Sequence, residues 1–287
     1  MFIREGKKVS IGDLLRGVIV QSGNDASIAL AEHVAGGEAE FAYMMNEKAR
    51  RLGLRNTNFV NATGLPSDDH YSNANDLARL TIELIKNHPN HYEIYAERSF
   101  EYNGINQTNR NKLLWRDLSV DGVKTGYTKK AGYCLVASAK RDGMRLVSVV
   151  LGTASDQDRM MESQKLLSLG FRNYDTQLLY RANSEITRLK VFYGKPDAVS
   201  IIAPTDVYVT APRGDLESAV TELSVPKHLE APINKDDVIG SLAVLLAGKD
   251  DVMYQTKVLA ANDIGEANLF GKVSDFFYLF YSELFGE

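Results

Sequence analysis

The chain has 287 residues, of which 44% are hydrophobic and 24% charged, and its formal net charge is −4. This composition excludes a disordered chain and suits one or two globular domains. The single cysteine excludes an intramolecular disulfide framework and a cysteine-cluster zinc site. An acidic balance without a basic run argues against a nucleic-acid partner.

The first residues show no secretory signal. The charged segment 1–8 is not followed by an apolar stretch of about 7–15 residues. No run of about 18 apolar residues occurs anywhere, so the sequence predicts no membrane-spanning helix. Taken alone, these observations predict a cytoplasmic protein.

The first part of the chain has the apolar spacing of helices. Ser10 is a suitable N-cap, with Asp13 at the acidic position of a capping box. The helical pattern breaks at Ser22-Gly23-Asn24 and then resumes. Helices are predicted over residues 10–20, 25–35, 39–52 and 75–86.

A hairpin and a further helix follow a loop-rich stretch. Strands are predicted over residues 133–140 and 144–151, joined by a turn at Arg141-Asp142-Gly143. Residues 158–169 have helical spacing, and Gly170 is expected to end that helix.

The composition changes near residue 176. Over residues 177–265 the apolar runs are short and β-branched, and turn signals separate them at intervals of about 8–12 residues. This pattern predicts a small all-β domain after a first domain at residues 1–176.

The last segment, residues 266–287, returns to helical spacing. The pattern favours either a terminal helix docked on its own domain or an anchor at a membrane surface, for which aromatic and aliphatic residues on one face are typical. Its acidic residues oppose binding to anionic lipid. The apolar face comprises Val273, Phe276, Phe277, Phe280 and Leu284.

Two tripeptides carry polar groups suited to catalysis. Ser22-Gly23-Asn24 lies in the break between two helices, and Lys124-Thr125-Gly126 is expected to open a strand before the hairpin. Each also has a structural interpretation. Ser22 suits the N-cap of the next helix, and Lys124 suits a solvated lysine at a sheet edge.

In this order the two tripeptides match the second and third elements of the set Ser-x-x-Lys, Ser-x-Asn and Lys-Thr-Gly. The chain therefore resembles the penicillin-recognising serine acyl-transferases. Within them it is similar to the low-molecular-mass penicillin-binding proteins, which are serine D-alanyl-D-alanine carboxypeptidases of the S11 type. Further matching segments are Leu14-Leu15-Arg16-Gly17, Leu52-Gly53-Leu54-Arg55-Asn56-Thr57, Asn109-Arg110-Asn111-Lys112-Leu113-Leu114-Trp115 and Val120-Asp121-Gly122-Val123.

The resemblance implies a fold and an activity. The fold is an α/β (α+β) domain of the penicillin-binding and serine β-lactamase type, N-terminally incomplete, followed by the all-β domain and an amphipathic anchor helix. The activity is removal of the terminal D-alanine from peptidoglycan pentapeptide stems through an acyl-enzyme. The implied partners are stem peptides, β-lactam antibiotics and, through residues 271–287, a membrane surface. No cofactor, metal ion or nucleic acid is expected.

Three residues receive catalytic roles from the resemblance. Ser22 relays protons between the leaving amine and a catalytic lysine, which is general acid and base work. Asn24 hydrogen-bonds the peptide backbone of the substrate. Lys124 supplies positive potential beside the relay.

Five further positions are expected to bind substrate. Thr125 helps to hold the terminal carboxylate, Gly126 lets the substrate backbone approach the strand, and the Tyr127 N–H forms half of an oxyanion hole. Arg110 and Arg159 fall where the family places arginines near the carboxylate, and Arg159 also suits a charge on a helix surface.

The family's Ser-x-x-Lys motif, which carries the nucleophile and its base, has one match here, Ser224-Val225-Pro226-Lys227. Chance alone predicts about one such match. Pro226 opposes the helical turn that the motif needs, and the match follows Lys124-Thr125-Gly126 instead of preceding Ser22, so we reject it. We expect that the chain lacks its nucleophile, begins at an internal methionine of a longer protein and is inactive alone. In an alternative mechanism for this chain, Ser22 is the nucleophile and Lys124 is its base.

Two other classes of function have different sequence requirements. A non-catalytic relative would bind D-Ala-D-Ala or peptidoglycan with the same residues. A metallohydrolase is disfavoured because His88-Pro89-Asn90-His91 contains a proline and has no acidic partner at ligand spacing. Since peptidoglycan is made outside the inner membrane, the resemblance implies a periplasmic protein, peripheral on that membrane, and replaces the cytoplasmic prediction.

Overall fold

A computed structural model describes residues 1–248 and 252–285, the last four of these as backbone only. The chain forms two compact units, Met1–Phe171 and Arg172–Glu287. In the described residues, no helix combines the length and the apolar character needed to cross a membrane.

The first unit surrounds a small sheet with helices. Its elements in chain order are α1 Ile11–Gln21, α2 Asn24–Ala35, α3 Glu38–Arg51, α4 Ala74–Asn87, α5 Pro89–Tyr92, β1 Ser99–Tyr102, β2 Ile105–Thr108, α6 Leu113–Arg116, β3 Val120–Thr128, β4 Gly132–Arg141, β5 Met144–Thr153 and α7 Asp156–Asn173. The four helices predicted from the apolar spacing in residues 10–86 are confirmed within one or two residues at each end.

The start of α1 follows its predicted cap. The Asp13 N–H donates to the Ser10 hydroxyl at 3.0 Å, which satisfies one of the free donors of the first turn. The helix ends at Ser22, whose backbone is left-handed at φ 60°. This abrupt end turns the chain directly into α2.

An antiparallel sheet of order β3-β4-β5 carries the Lys-Thr-Gly tripeptide. The hairpin between β4 and β5 is confirmed, and Asp142 and Gly143 both have positive φ, as a two-residue hairpin turn requires. The prediction that Lys124 opens a strand is wrong, because β3 already begins at Val120. Val120 is buried in the core of the sheet, with Leu113, Leu114, Leu135, Ala137, Ala139 and Leu167.

Helix α7 is longer than its sequence pattern predicts. Gly170 does not end it, since the helix continues to Asn173. A Cβ at Gly170 would lie 2.5 Å from Cδ1 of Leu146 on β5. Glycine therefore serves the close approach of helix to sheet here, and Phe171 beyond it packs on the same core.

The second unit is built from strands, as predicted. They are β6 Tyr174–Tyr180, β7 Glu185–Phe192, β8 Gly194–Lys195, β9 Ala198–Ile202, β10 Val207–Pro212, β11 Ala219–Ser224, β12 Leu229–Glu230, β13 Val238–Leu246, β14 Val252–Ala260 and β15 Gly265–Glu266. Six form one sheet of order β11-β13-β14-β9-β7-β12, and the others pair as β10-β6 and β15-β8.

Helix α8, Leu269–Phe285, follows the strands of the second unit. It docks through Asp275, which accepts the Tyr193 N–H at 2.7 Å, and through Tyr278, which stacks on Phe192. Phe276 and Phe277 remain more than half exposed. Leu284, which the sequence pattern places on this face, lies outside the described side chains, as do residues 286 and 287.

Candidate active site

The two tripeptides meet in the first unit. Lys124 on β3 donates a hydrogen bond from its ammonium to the Ser22 hydroxyl at the end of α1. The same ammonium donates to the Thr125 carbonyl at 3.0 Å. A helix end and a sheet strand, distant in the chain, thus place a hydroxyl and an amine in direct contact.

Lys124 lies in a desolvated and positively charged environment. Burial, together with the neighbouring guanidinium groups of Arg110 and Arg159, lowers its pKa from the usual 10.5 to about 8. The interpretation of Lys124 as a solvated edge lysine is therefore wrong. An amine with this pKa exchanges protons readily near neutral pH.

Ser22 is not an N-cap. Gly23 occupies that position of α2, and no side chain caps the helix there. Ser22 instead is the left-handed residue that ends α1. Asn24 is the first residue of α2 and is exposed, and the structure shows no hydrogen bond between it and Lys124.

The residues on either side of Arg110 fix its position in the chain. The Asn109 amide donates to the Glu97 carbonyl at 2.9 Å, and the Asn111 amide donates to the Gly122 carbonyl of β3 at 3.0 Å. Arg110 Nε then donates to the carbonyl of Gln21, next to Ser22, at 3.0 Å. Two buried asparagines therefore fix the arginine beside the cleft.

Arg159 is buried, so its interpretation as a helix-surface charge is wrong. It is 7% exposed. Its Nη1 donates to the carbonyls of Gly126 and Cys134 at 2.8 and 3.1 Å, and its Nη2 pairs with Asp156. This arginine ties α7 to the neighbouring ends of β3 and β4.

A pocket of about 550 Å³ opens beside this arginine. The Tyr127 and Tyr133 rings lie 4.3 Å apart in its wall. Thr125, which lies between Lys124 and Gly126 on β3, is buried. The lining residues are Thr108, Asn109, Arg110, Lys112, Trp115, Tyr127, Tyr133, Asp156 and Arg159.

The structure thus brings together part of the predicted site. Ser22 and Lys124 touch, and Arg110, which bonds the Gln21 carbonyl next to Ser22, lines the pocket together with Tyr127 and Arg159. Asn24 and Thr125 are not among the residues that line the pocket.

Six residues that line the pocket were not predicted as site residues from the sequence, and two of the six carry a charge, Lys112 and Asp156. They form an ion pair at 2.6 Å. The sequence contained indications of both residues. Lys112 lies two residues after Arg110 in the family-like segment 109–115, and Asp156 precedes Arg159 by three residues, a spacing at which helical side chains are neighbours. Across the described residues, no group of three or more His, Cys, Asp or Glu side chains could hold a metal ion.

Comparison with known proteins gives two family matches. Residues 1–155 match the Peptidase S11 family, D-alanyl-D-alanine carboxypeptidase. Residues 174–266 match the C-terminal domain of penicillin-binding protein 5.

Individual relatives cover almost the whole chain. D-alanyl-D-alanine carboxypeptidase DacA of Haemophilus influenzae is 43% identical over 99% of this chain and 73% of its own length. DacA of Escherichia coli K12 is 42% identical over 100% of this chain and 71% of its own length.

A solved structure has the same fold. The match to the crystal structure of penicillin binding protein 5 from Haemophilus influenzae covers 93% of this chain and 78% of the solved chain, at 42% identity and a TM-score of 0.75. The predicted penicillin-binding fold followed by an all-β domain is confirmed. The chain belongs to the S11 family of serine-type D-alanyl-D-alanine carboxypeptidases, which are penicillin-binding enzymes.

Proposed function

We propose that the protein acts on peptidoglycan stem peptides ending in D-Ala-D-Ala and removes the terminal D-alanine. The hydrogen bond between Lys124 and Ser22, beside a cationic and aromatic pocket, carries this proposal. In the reaction the nucleophilic serine hydroxyl attacks the peptide carbonyl and gives its proton to the catalytic lysine, an ester forms, and the amide C–N bond breaks as the leaving nitrogen gains a proton. Water then hydrolyses the ester and frees the serine.

Ser22 and Lys124 act in the step that expels D-alanine. The leaving nitrogen takes a proton from the Ser22 hydroxyl, and the catalytic lysine returns a proton to Ser22, while Lys124 supplies positive potential beside this relay through its hydrogen bond to Ser22. With its pKa lowered to about 8, Lys124 is still mainly charged at neutral pH, so it can supply this potential.

The substrate backbone is proposed to lie along β3. Among the described strands, β3 pairs with β4 alone, so its other edge is free to pair with an extended peptide. Asn24 would bind the peptide from α2, Gly126 would admit its backbone, and the Tyr127 N–H would contact the developing oxyanion. Thr125 would help to hold the terminal carboxylate.

The nucleophile is a separate question, because the 287 residues contain one Ser-x-x-Lys match, at residues 224–227. Ser224 is the last residue of a strand, so it lacks the helical turn that joins serine and lysine in this motif. We expect this chain, assayed alone, to bind substrate and penicillin reversibly without forming an acyl-enzyme.

Mass spectrometry of the intact chain after incubation with benzylpenicillin tests the expectation about the nucleophile. The expected result is an unchanged mass. The direct contact of Lys124 with Ser22 favours one rival, in which Ser22 is the nucleophile. Stoichiometric acylation that disappears in Ser22→Ala would establish that rival and overturn the relay role.

A stereochemical comparison tests the function. The single tryptophan, Trp115, lines the pocket and reports binding by its emission. An N-acetylated peptide ending in D-Ala-D-Ala should change the emission saturably, whereas the L-Ala-L-Ala peptide should not. Equal responses to both peptides would contradict the proposed substrate.

The protein is further proposed to work in the periplasm, held peripherally at the inner membrane by α8. Phe276 and Phe277 are 56% and 58% exposed, while Asp275 secures the helix to its own unit. Exposed aromatic side chains suit the interface of a bilayer. Deletion of residues 271–287, or the double change Phe276→Asn and Phe277→Asn, should move the protein from the membrane to the soluble fraction. Unchanged fractionation would contradict the anchor.

A further inference from the structure

We propose that Lys112 is a further substrate-binding residue, whose ammonium recognises, together with Arg110, the terminal carboxylate of the peptide. This inference rests on the proposed function and concerns the same pocket. Both side chains line the pocket, and they lie two residues apart on the segment between β2 and α6.

The charges around the pocket are not balanced. Arg110, Lys112 and Arg159 contribute three positive charges to its lining, against the one negative charge of Asp156. Of these cations, Lys112 and Arg159 both pair with Asp156, whereas Arg110 shows no ion pair with any residue of the described chain. The remaining positive charge favours an anionic ligand.

Arg159 has little capacity left for that ligand. Its Nη1 donates to two backbone carbonyls, its Nη2 pairs with Asp156, and its side chain is only 8% exposed. A bidentate contact with a carboxylate needs two neighbouring N–H donors of the guanidinium that the ligand can reach. Arg159 therefore acts here as a brace for the ends of β3 and β4.

Lys112 carries its free donors on an exposed side chain, whereas the remaining donors of Arg159 lie on a buried one. Its side chain is 66% exposed, and its ammonium lies 2.6 Å from Asp156 Oδ2. An ammonium has three N–H donors, so two remain for a ligand while Asp156 keeps the group at the pocket. Arg110 keeps free donors as well, since the structure shows only its Nε bonded, to Gln21.

The aromatic walls restrict the kind of anion. Trp115, Tyr127 and Tyr133 surround the site, and they suit the apolar side chain of a small residue. The same apolar surfaces give no favourable contact to a compact, fully polar anion such as phosphate. A monovalent carboxylate at the end of a short peptide satisfies both conditions.

The experiment measures peptide affinity through Trp115 emission. Two ligands are compared, an N-acetylated peptide ending in D-Ala-D-Ala and the same peptide with a C-terminal amide. Lys112→Gln should weaken binding of the free carboxylate by about three- to tenfold and leave the amide peptide unchanged. Lys112→Arg should restore most of the affinity.

Lys165→Gln is the matched control. Lys165 is 68% exposed and pairs with Glu162 on α7, so its replacement also removes one charge from an exposed ion pair. It should leave both affinities unchanged. Inorganic phosphate at the same concentration should not displace the peptide.

The outcomes separate the two proposals. If wild type binds neither peptide, the proposed function and this inference both fail. If wild type binds the carboxylate peptide and Lys112→Gln binds it equally well, or loses affinity equally for both peptides, the inference alone fails. Displacement by phosphate at equal concentration would also overturn it.

Discussion

Replacing Lys124 by methionine should stabilise the first unit at neutral pH. Burial, reinforced by Arg110 and Arg159, lowers the lysine pKa from 10.5 to about 8 in the folded chain. A shift of this size corresponds to about 3 kcal/mol of unfavourable free energy for the charged form. Methionine has a similar length and no charge, so the variant carries no such penalty.

The pH dependence gives the sign of this effect. Below pH 8 the lysine is charged in both the folded and the unfolded chain, and the full penalty is present. Between pH 8 and 10.5 the unfolded lysine keeps its proton while the folded lysine loses it, so the free energy of unfolding of wild type rises with pH. The advantage of Lys124→Met over wild type should therefore fall by about 2–3 kcal/mol between pH 7 and 10.

Urea unfolding followed by Trp115 emission measures this difference, because the single tryptophan lies in the first unit. Lys140→Met is the control, since Lys140 is an exposed lysine on the neighbouring strand β4. Its stability difference from wild type should not change with pH. A difference for Lys124→Met that stays constant within about 0.5 kcal/mol from pH 7 to 10 would refute the desolvated site.

Further predictions concern the support of the site. Asn111→Ala should lower the free energy of unfolding by about 1–3 kcal/mol in urea, because it removes a buried hydrogen bond to the Gly122 carbonyl; an unchanged midpoint would contradict this role. Gly132→Ala should lower it by about 2–4 kcal/mol, since φ is +69° and an added Cβ would lie 2.9 Å from the Thr153 oxygen. Gly104→Ala, at φ +73° in open space, should lower it by only about 1 kcal/mol, and equal losses would refute the steric argument.

Local signals predicted much of the fold. Ser10 and Asp13 mark the start of α1, and Asp142-Gly143 marks the hairpin, because caps and tight turns depend on neighbouring residues. The same reasoning gave a wrong prediction at Gly170, which was expected to end α7. Its place inside α7 depends on the approach of Leu146 from the sheet, which no pattern along the helix reveals.

The sequence predicted the part of the site that is formed by residues of known motifs. The motif order indicated that Ser22 and Lys124 work together, and their contact is present in the structure. The motif said nothing of Asp156, which joins Lys112 to Arg159 across two separate segments. Such an ion pair arises only when the chain has folded, as does the lowered pKa of Lys124, which depends on burial.

A double-mutant cycle on peptide affinity tests the central claim, that Ser22 and Lys124 form one functional unit in a site for D-Ala-D-Ala. The affinity of the N-acetylated D-Ala-D-Ala peptide is measured for wild type, Ser22→Ala, Lys124→Met and the double variant. The contact predicts a coupling free energy of about 1 kcal/mol or more, with the second change costing little after the first. Strictly additive losses, or wild-type affinity in all three variants, would contradict it.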